Sequence, residues 1–346
     1  MNHLSAYGAG KYTRPIKQVV IVQRGTNATE RHYLAPRLAR CALPVVCWDL
    51  LADSSAPNLE DAYVIIVRYL DRAALQAIRT ARPRLAGVAW LLDDDLAAAS
   101  SELRLPLRYR YRMARFWLSF SRAIQDIASE IWLASDVLVE RFASSEDSVS
   151  CFRIDPVADY GPAPVHMPHK PGEPVTVFYH GEITHRGECL WLKPILEDVQ
   201  RRTQRARIEI IGHPDIGAAM HDVPRCSVIP PMPWQKYRAH IDGTRGDIGL
   251  APLLPSRFNG ARSFVKYLEI VRHGGVGLFA HTRVYRDVVV DAVNGRLLAM
   301  DRQLWAETIL DLVEDDEERC RMRAGTLRRI PALTPPSLSQ LVSAGT

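Results

Sequence analysis

Three short clusters in this chain of 346 residues carry side chains that could do chemistry. In the first, Ser263, Lys266 and Glu269 follow one another at three-residue spacing. On a helix that spacing puts all three on one face. A hydroxyl, an ammonium and a carboxylate there can grip phosphate oxygens and sugar hydroxyls, or can form the solvated side of an amphipathic helix. Asn259, Gly260, Ala261 and Arg262 stand just before them. A helix opening near Ala261 turns free backbone N–H groups toward an anion, and a diphosphate suits such a site. In the second cluster the apolar run Trp90-Leu91-Leu92 ends in Asp93, Asp94 and Asp95. Adjacent carboxylates raise one another's pKa toward that of a usable base. They can also hold a divalent cation, or cap the following helix and match its dipole. The third cluster runs from Arg104 to Arg122, where Arg104, Arg108, Arg110, Arg112, Arg115 and Arg122 alternate with Tyr109, Tyr111, Phe116, Trp117 and Phe120. Basic groups interleaved with aromatics suit an anionic membrane face or an anionic acceptor such as a lipid diphosphate. The same pattern fits a helix that buries its aromatics and leaves the arginines outside.

The elements that must position these groups read as alternating strands and helices. Strands are expected at Gln18 to Gln23, Pro44 to Trp48, Ala62 to Val67, Leu85 to Leu92 and Ile131 to Ala134. Helices are expected at Glu30 to Cys41, Arg72 to Ala81 and Arg108 to Ser129. A stretch with six prolines between Asp155 and Pro174 cannot be helix or central strand and reads as a linker. The alternation then restarts, with strands at Val175 to Tyr179, Arg207 to Ile211, Ser227 to Ile229, Asp247 to Ala251 and Val276 to Ala280. Helices are expected at Glu188 to Arg202, Trp234 to His240, Ala261 to Arg272, Leu304 to Val313 and Asp315 to Arg329. Strand, helix, strand at this spacing gives parallel βαβ units, here in two Rossmann-like halves with a ligand cleft between them.

Composition narrows the class. Hydrophobic residues at 47% and charged residues at 24% describe a globular chain, not a disordered or fibrous one. No apolar run is long enough to span a bilayer, and Met1 to Lys17 lack the apolar stretch of a signal peptide, so a cytoplasmic protein is expected. The net charge is +5, and only six of the 44 basic residues are Lys. Arginine forks suit phosphate and carboxylate recognition, although the excess also fits codon usage in a GC-rich genome and locates no site. The cysteines are scattered, which reads as reduced thiols with neither a disulfide framework nor a zinc site. Neither G-x-G-x-x-G nor G-x-x-x-x-G-K-[ST] occurs, against a dinucleotide oxidoreductase and a P-loop NTPase.

The segment from Asp247 to Ala299 resembles the donor-binding region of GT-B nucleotide-sugar glycosyltransferases, in particular the retaining group called glycosyltransferase family four. The resemblance rests on Asp247 to Pro252, Asn259-Gly260, the Ser263/Lys266/Glu269 helix, Gly274-Gly275 before Val276, and Asn294 to Leu298. Upstream, Phe178 to Glu188 resembles the family's strand, glycine loop and basic turn, Ile210-Ile211-Gly212 its strand end, and Pro230 to Tyr237 its base-holding loop. The resemblance implies that Glu269 binds ribose hydroxyls and that the amides around Gly260 to Arg262 bind the diphosphate. It further implies that Gly181 allows close approach, that Arg186 clamps phosphates and that Trp234 or Tyr237 packs on the base. Gly25 begins a loop that family members hold against donor and acceptor, or a plain βα turn. One departure stands out. The family's carboxylate eight residues before the ribose-binding Glu, the one that normally touches the transferred sugar, is Ala261 here, and retention rests on the family resemblance alone.

The expectation is therefore an α/β protein of the GT-B class, two Rossmann-like domains facing each other across a cleft. Its parts are an N-terminal extension (1–16), an acceptor-side domain (17–155), a Pro-rich linker (156–174), a nucleotide-sugar-binding domain (175–330) and a tail (331–346). It would move a sugar from a nucleotide-diphosphate donor to a glycan or glycolipid hydroxyl in bacterial surface polysaccharide or glycoconjugate synthesis, with retention. The catalytic set is Arg186, Lys266, Asp93 and Asp94. The donor-binding set is Gly25, Gly181, Gly212, Trp234, Tyr237, Asn259, Gly260, Ala261, Arg262, Ser263 and Glu269. No metal and no cofactor beyond the sugar nucleotide is expected. The partners are that donor, a glycan or lipid-linked acceptor and an anionic membrane face reached through Arg104 to Arg122, with no nucleic acid. The rivals are a sugar-nucleotide epimerase and a non-catalytic glycosyltransferase-like subunit.

Overall fold

Strands β3 (Ala62–Val67) and β4 (Gly87–Leu92) are buried along their whole length, because helices cover both faces of the sheet that contains them. The computed structural model describes residues 14–52, 55–143, 149–158 and 172–330. Most of the expected N-terminal extension, the tail, and positions 159–171 of the expected linker lie outside the described residues. With β1 (Gln18–Gln23), β2 (Val45–Asp49), β5 (Glu130–Leu133) and β6 (Ser150–Arg153), these strands form a parallel sheet in the order β2-β1-β3-β4-β5-β6. A second parallel sheet holds β7 (Val175–His180), β8 (Ala206–Ile211), β9 (Cys226–Ile229), β10 (Ile248–Ala251), β11 (Val276–Ala280) and β12 (Arg296–Leu298). Its order is β12-β11-β10-β7-β8-β9. In each sheet the winding reverses once, between β1 and β3 and between β7 and β10, and such reversals leave a crevice at the carboxyl ends of the strands.

Several boundaries differ from the sequence reading for physical reasons. The helix expected at Glu30 to Cys41 is two, Ala28–Tyr33 and Ala35–Leu38, because Pro36 starts a new helix and cannot donate into the old one. The long helix is Leu107–Gln125. It stops short of Ser129, whose N–H donates to the Val88 carbonyl (2.7 Å) and whose hydroxyl receives the Val88 N–H (3.2 Å). Phe116, Trp117 and Phe120 of this helix are packing groups. Phe116 stacks on Phe120 at 5.4 Å and Trp117 on the fully buried Trp90 at 6.1 Å, so neither faces outward. The outward side carries Leu107, Tyr111 and Leu118 with Arg108, Arg115 and Arg122. Strand β6 and the helix Asp136–Ala143 had no counterpart in the sequence reading.

The two halves share core. Phe258 and Ala261 belong by sequence to the second half, yet they are buried in the apolar cluster of the first, the turn Asn259–Ala261 lying on the helix Asp136–Ala143. Around them Ser135 Oγ donates to the Ala261 carbonyl (2.7 Å), Arg141 to the Arg257 carbonyl (3.1 Å) and Arg104 to the Pro255 carbonyl (2.9 Å). Burying one phenylalanine contributes roughly 1.5–3 kcal/mol, so this loop is a firm attachment.

Candidate active site

The carboxyl ends of the two sheets enclose a cavity of about 500 Å³. The first half contributes Asn27, Thr29, His32 and Tyr33 after β1, Arg68 after β3, and Asp93 and Asp94 after β4. From the second half come Gly181 and His185 after β7, Trp234 and Tyr237, then Arg262, Ser263, Lys266 and Glu269. Nine expected site residues thus meet in one space: Asp93, Asp94, Gly181, Trp234, Tyr237, Arg262, Ser263, Lys266 and Glu269.

Lys266 and Glu269 sit on the helix Val265–Arg272, which begins at Phe264 with no side-chain cap. The Lys266 ammonium donates to the carbonyl oxygen of His180 at the end of β7 and to Glu269 Oε2 (2.9 Å). His32 from the opposite half approaches Glu269 Oε1 at 3.7 Å. Burial opposes ionisation of Glu269, but the Lys266 charge and the His32 contact outweigh it and hold the carboxylate at about 2. Ser263 Oγ lies 2.5 Å from Tyr33 OH, a second bond across the cleft. Arg262 lies over the Phe258 ring at 4.8 Å, and its Nη1 is 2.7 Å from His185 Nε2. Burial, then Arg262 and Lys266, push the His185 pKa well down, so the ring is neutral and accepts from the guanidinium.

The acidic run divides its labour. Asp95 caps the helix Leu96–Ser101 by accepting the Ala98 N–H (2.8 Å), and it pairs with Arg141. Asp93 and Asp94 turn into the cavity around Arg68, whose Nε is 2.9 Å from Asp93 Oδ1 and whose Nη2 binds Asp94. Thr29 donates to Asp93 Oδ2 (2.7 Å). Burial raises the Asp93 pKa, Arg68 lowers it and Asp94 adds to the rise, with a net shift upward.

Other expected residues lie elsewhere. The amides of Gly260, Ala261 and Arg262 are not free, because they donate to the Ser256, Phe258 and Asn259 carbonyls in a short 3-10 turn. The free helix start is moved to Val265, next to Lys266. Asn259 is buried, donating to Glu188 Oε1 (2.6 Å) and the Leu254 carbonyl (2.8 Å), a role in shaping the loop. Gly260 and Ala261 do not line the cavity, nor do Gly25 and Gly212, although their neighbours Thr26 and Ile211 do. Arg186 pairs with Asp215 in an adjoining surface depression that shares Tyr109 and Arg112 with the cleft. Arg68 and Tyr33 were missed by the sequence reading. Arg68 carries one signal, a charged side chain closing an apolar strand, and in the structure its φ is +62°.

No family model and no curated protein matches the chain. Solved structures do. WaaG, a glycosyltransferase involved in lipopolysaccharide biosynthesis, superposes with a TM-score of 0.62 at 12% identity, over 94% of this chain and 98% of its own. HepE from Anabaena, solved with UDP and glucose, gives 0.57 at 12% identity over 95% and 98%. A TarM variant from S. aureus, solved with UDP, gives 0.55 at 11% identity over 81% of this chain, which spans about half (54%) of TarM. Two six-stranded parallel sheets and this likeness make the fold GT-B.

Proposed function

We propose that the chain is a glycosyltransferase that moves a sugar from a nucleotide-diphosphate donor to a hydroxyl of a glycan or glycolipid. The observation that carries the reading is the half-buried Lys266–Glu269 pair at the reversal point of the second sheet in a GT-B cleft. Glu269, ionised and held rigidly, suits the paired hydroxyls of a ribose. The Lys266 ammonium, Arg262 and the uncapped helix start suit the diphosphate as it leaves. Oriented donors at a developing charge of this kind are worth ~10²–10³ each in rate. Trp234, 5.2 Å edge-on to His32 and 5.7 Å from Tyr237, suits the base. Asp93 and Asp94 stand on the acceptor side, where the raised pKa of Asp93 suits proton exchange with an acceptor hydroxyl. Arg186 reaches the donor only by leaving Asp215. Neighbours solved with UDP support a uridine donor, and the resemblance supports retention, a hexosyl group, no metal in the reaction and a place in surface polysaccharide synthesis.

Ala261 favours one second reading, a glycosyltransferase-like subunit without turnover, since this position offers no carboxylate to the sugar and its side chain is buried in the neighbouring half. Pure protein incubated with a panel of nucleotide sugars, with and without lipid-linked and soluble glycans, decides. Acceptor-dependent consumption is the expected result. Consumption without acceptor indicates an epimerase, and none at all indicates the subunit.

The cytoplasmic membrane face remains the proposed location, through the outward side of the Leu107–Gln125 helix. No helix among the described residues is long and apolar enough to cross a membrane. Leu107 and Leu118, 75% and 85% exposed, stand between Arg108, Arg115 and Arg122. Each arginine near anionic lipid contributes ~1 kcal/mol, and salt screens it. Co-sedimentation with anionic liposomes at low salt is expected, with loss when Arg108, Arg115 and Arg122 become Glu. Indifference of the parent protein to such liposomes would remove the membrane from the reading.

A further inference from the structure

Below the cleft four side chains from four elements converge. His180 ends β7, Glu209 lies in β8, His240 lies on the helix Trp234–Gly243, and His273 follows the helix Val265–Arg272. Glu209 Oε1 is 3.0 Å from His180 Nε2, 3.0 Å from His240 Nε2 and 4.0 Å from His273 Nε2. The ligand atoms of His180, Glu209 and His273 all lie within 4.8 Å of one another. His180 and His273 are 6% and 1% exposed.

Contacts on the outer side of two rings fix what they present inward. His273 Nδ1 is 3.1 Å from the Ile241 carbonyl oxygen. A carbonyl only accepts, so Nδ1 carries the proton and Nε2 of the neutral ring turns a lone pair toward Glu209. His180 Nε2, 3.0 Å from a Glu209 oxygen that only accepts, holds a proton there; a metal would take that proton's place, with Nδ1 then donating to Tyr237 OH at 3.3 Å. Metal-bound histidines are oriented in this way, each donating its other ring N–H to an outer partner. A tetrahedral zinc with bonds of ~2.0–2.1 Å sets its ligand atoms a little over ~3 Å apart. The separations from Glu209 bracket that value.

We propose that His180, Glu209 and His273 bind one divalent transition metal of the zinc class, with His240 holding Glu209 from outside. Imidazoles with a single carboxylate select zinc, cobalt or nickel over magnesium or calcium. Three protein ligands leave the fourth position to water, and the role assigned to the ion is to hold the scaffold, outside the sugar-transfer chemistry. It ties β7, β8 and the end of the helix Val265–Arg272 together directly behind the cleft. The His180 carbonyl that receives Lys266 is part of the same residue. The metal therefore positions the Lys266–Glu269 pair without touching a donor. This inference does not depend on the proposed transfer reaction, because binding can be read with the metal alone.

The test uses the full chain, stripped with a chelator and titrated with Co²⁺, then with Zn²⁺. Expected are visible d–d bands of a four-coordinate site, saturation at one equivalent, displacement by Zn²⁺ and a higher Tm in the loaded protein. Outer-shell losses alone cost ~10–100-fold in metal affinity, so Glu209→Gln and His273→Gln should weaken binding by at least ~100-fold. His221→Ala, at an exposed histidine, should change nothing. Should the ligand variants fail to fold, Tyr237→Phe should still weaken cobalt binding ~10-fold through His180. A parent protein with no saturable band at one equivalent, or folded variants that keep the parent's affinity, overturns the site.

Discussion

Replacing Lys266 by Met should lower turnover of a nucleotide sugar by ~10²–10³, the loss expected when one oriented donor to a developing anion is removed. The effect should fall on kcat more than on nucleoside affinity, because the ammonium faces phosphate and carboxylate and not the base. A second consequence is structural. Lys266 holds Glu269 and the end of β7 at once, so the variant leaves a carboxylate buried with only His32 beside it. Breaking a buried pair from one side costs about 3–5 kcal/mol. The double variant Lys266→Met/Glu269→Gln should therefore recover stability in denaturant titration while remaining inactive. A Lys266→Met protein with the parent's kcat would remove the ammonium from the chemistry. Recovery of activity in the double variant would make its role one of folding alone.

Arg68→Ala should be the most destabilising single change at this end of the first half, by about 3–5 kcal/mol at neutral pH, since one guanidinium serves two largely buried carboxylates. The sign of its pH dependence follows from Asp93. Its pKa in the folded protein is already raised, so its share of stability is present below the ordinary carboxylate range and lost as pH rises through the folded value. Without Arg68, the lowering partner, that value climbs further, and the deficit against the parent should be largest at neutral pH and shrink on acidification. Urea midpoints at pH 7 and pH 4 read this directly. A deficit that is flat or grows toward low pH would mean that Arg68 acts through packing and not through charge.

Much of the scaffold was legible because burial repeats in simple periods. The six apolar residues of Ala62–Val67 read as a strand between two helix layers, and the helix expected at Arg72 to Ala81 keeps those bounds, with Asp71 found as its cap. The three-residue spacing of Ser263, Lys266 and Glu269 likewise survives as one wall of the cleft. What could not be read is what distance along the chain conceals. The partner of Arg186 is Asp215, and only folding shows that the pair stands outside the cavity. The helix start was misplaced because Asn259 is tied down by Glu188, which no local pattern announces. In Leu107–Gln125, arginine and aromatic residues share overlapping stripes, so spacing alone does not say which stripe faces the core. His180, Glu209, His240 and His273 have no motif spacing at all, and their meeting follows from the strand order alone.

The loop that carries Phe258 and Ala261 into the neighbouring half has a bearing on how such proteins are recombined. Two Rossmann-like halves look like interchangeable modules that could be exchanged at the linker. Here that seam is misplaced. The first half on its own has a hole where the other half's phenylalanine belongs, and the second half has an exposed aromatic finger. A graft that respects only the linker would therefore pair a finger with a socket shaped for another hand. A working hybrid must carry the stretch from Leu254 to Ala261 with the half that receives it, together with the Ser135 and Arg141 contacts that hold it in place.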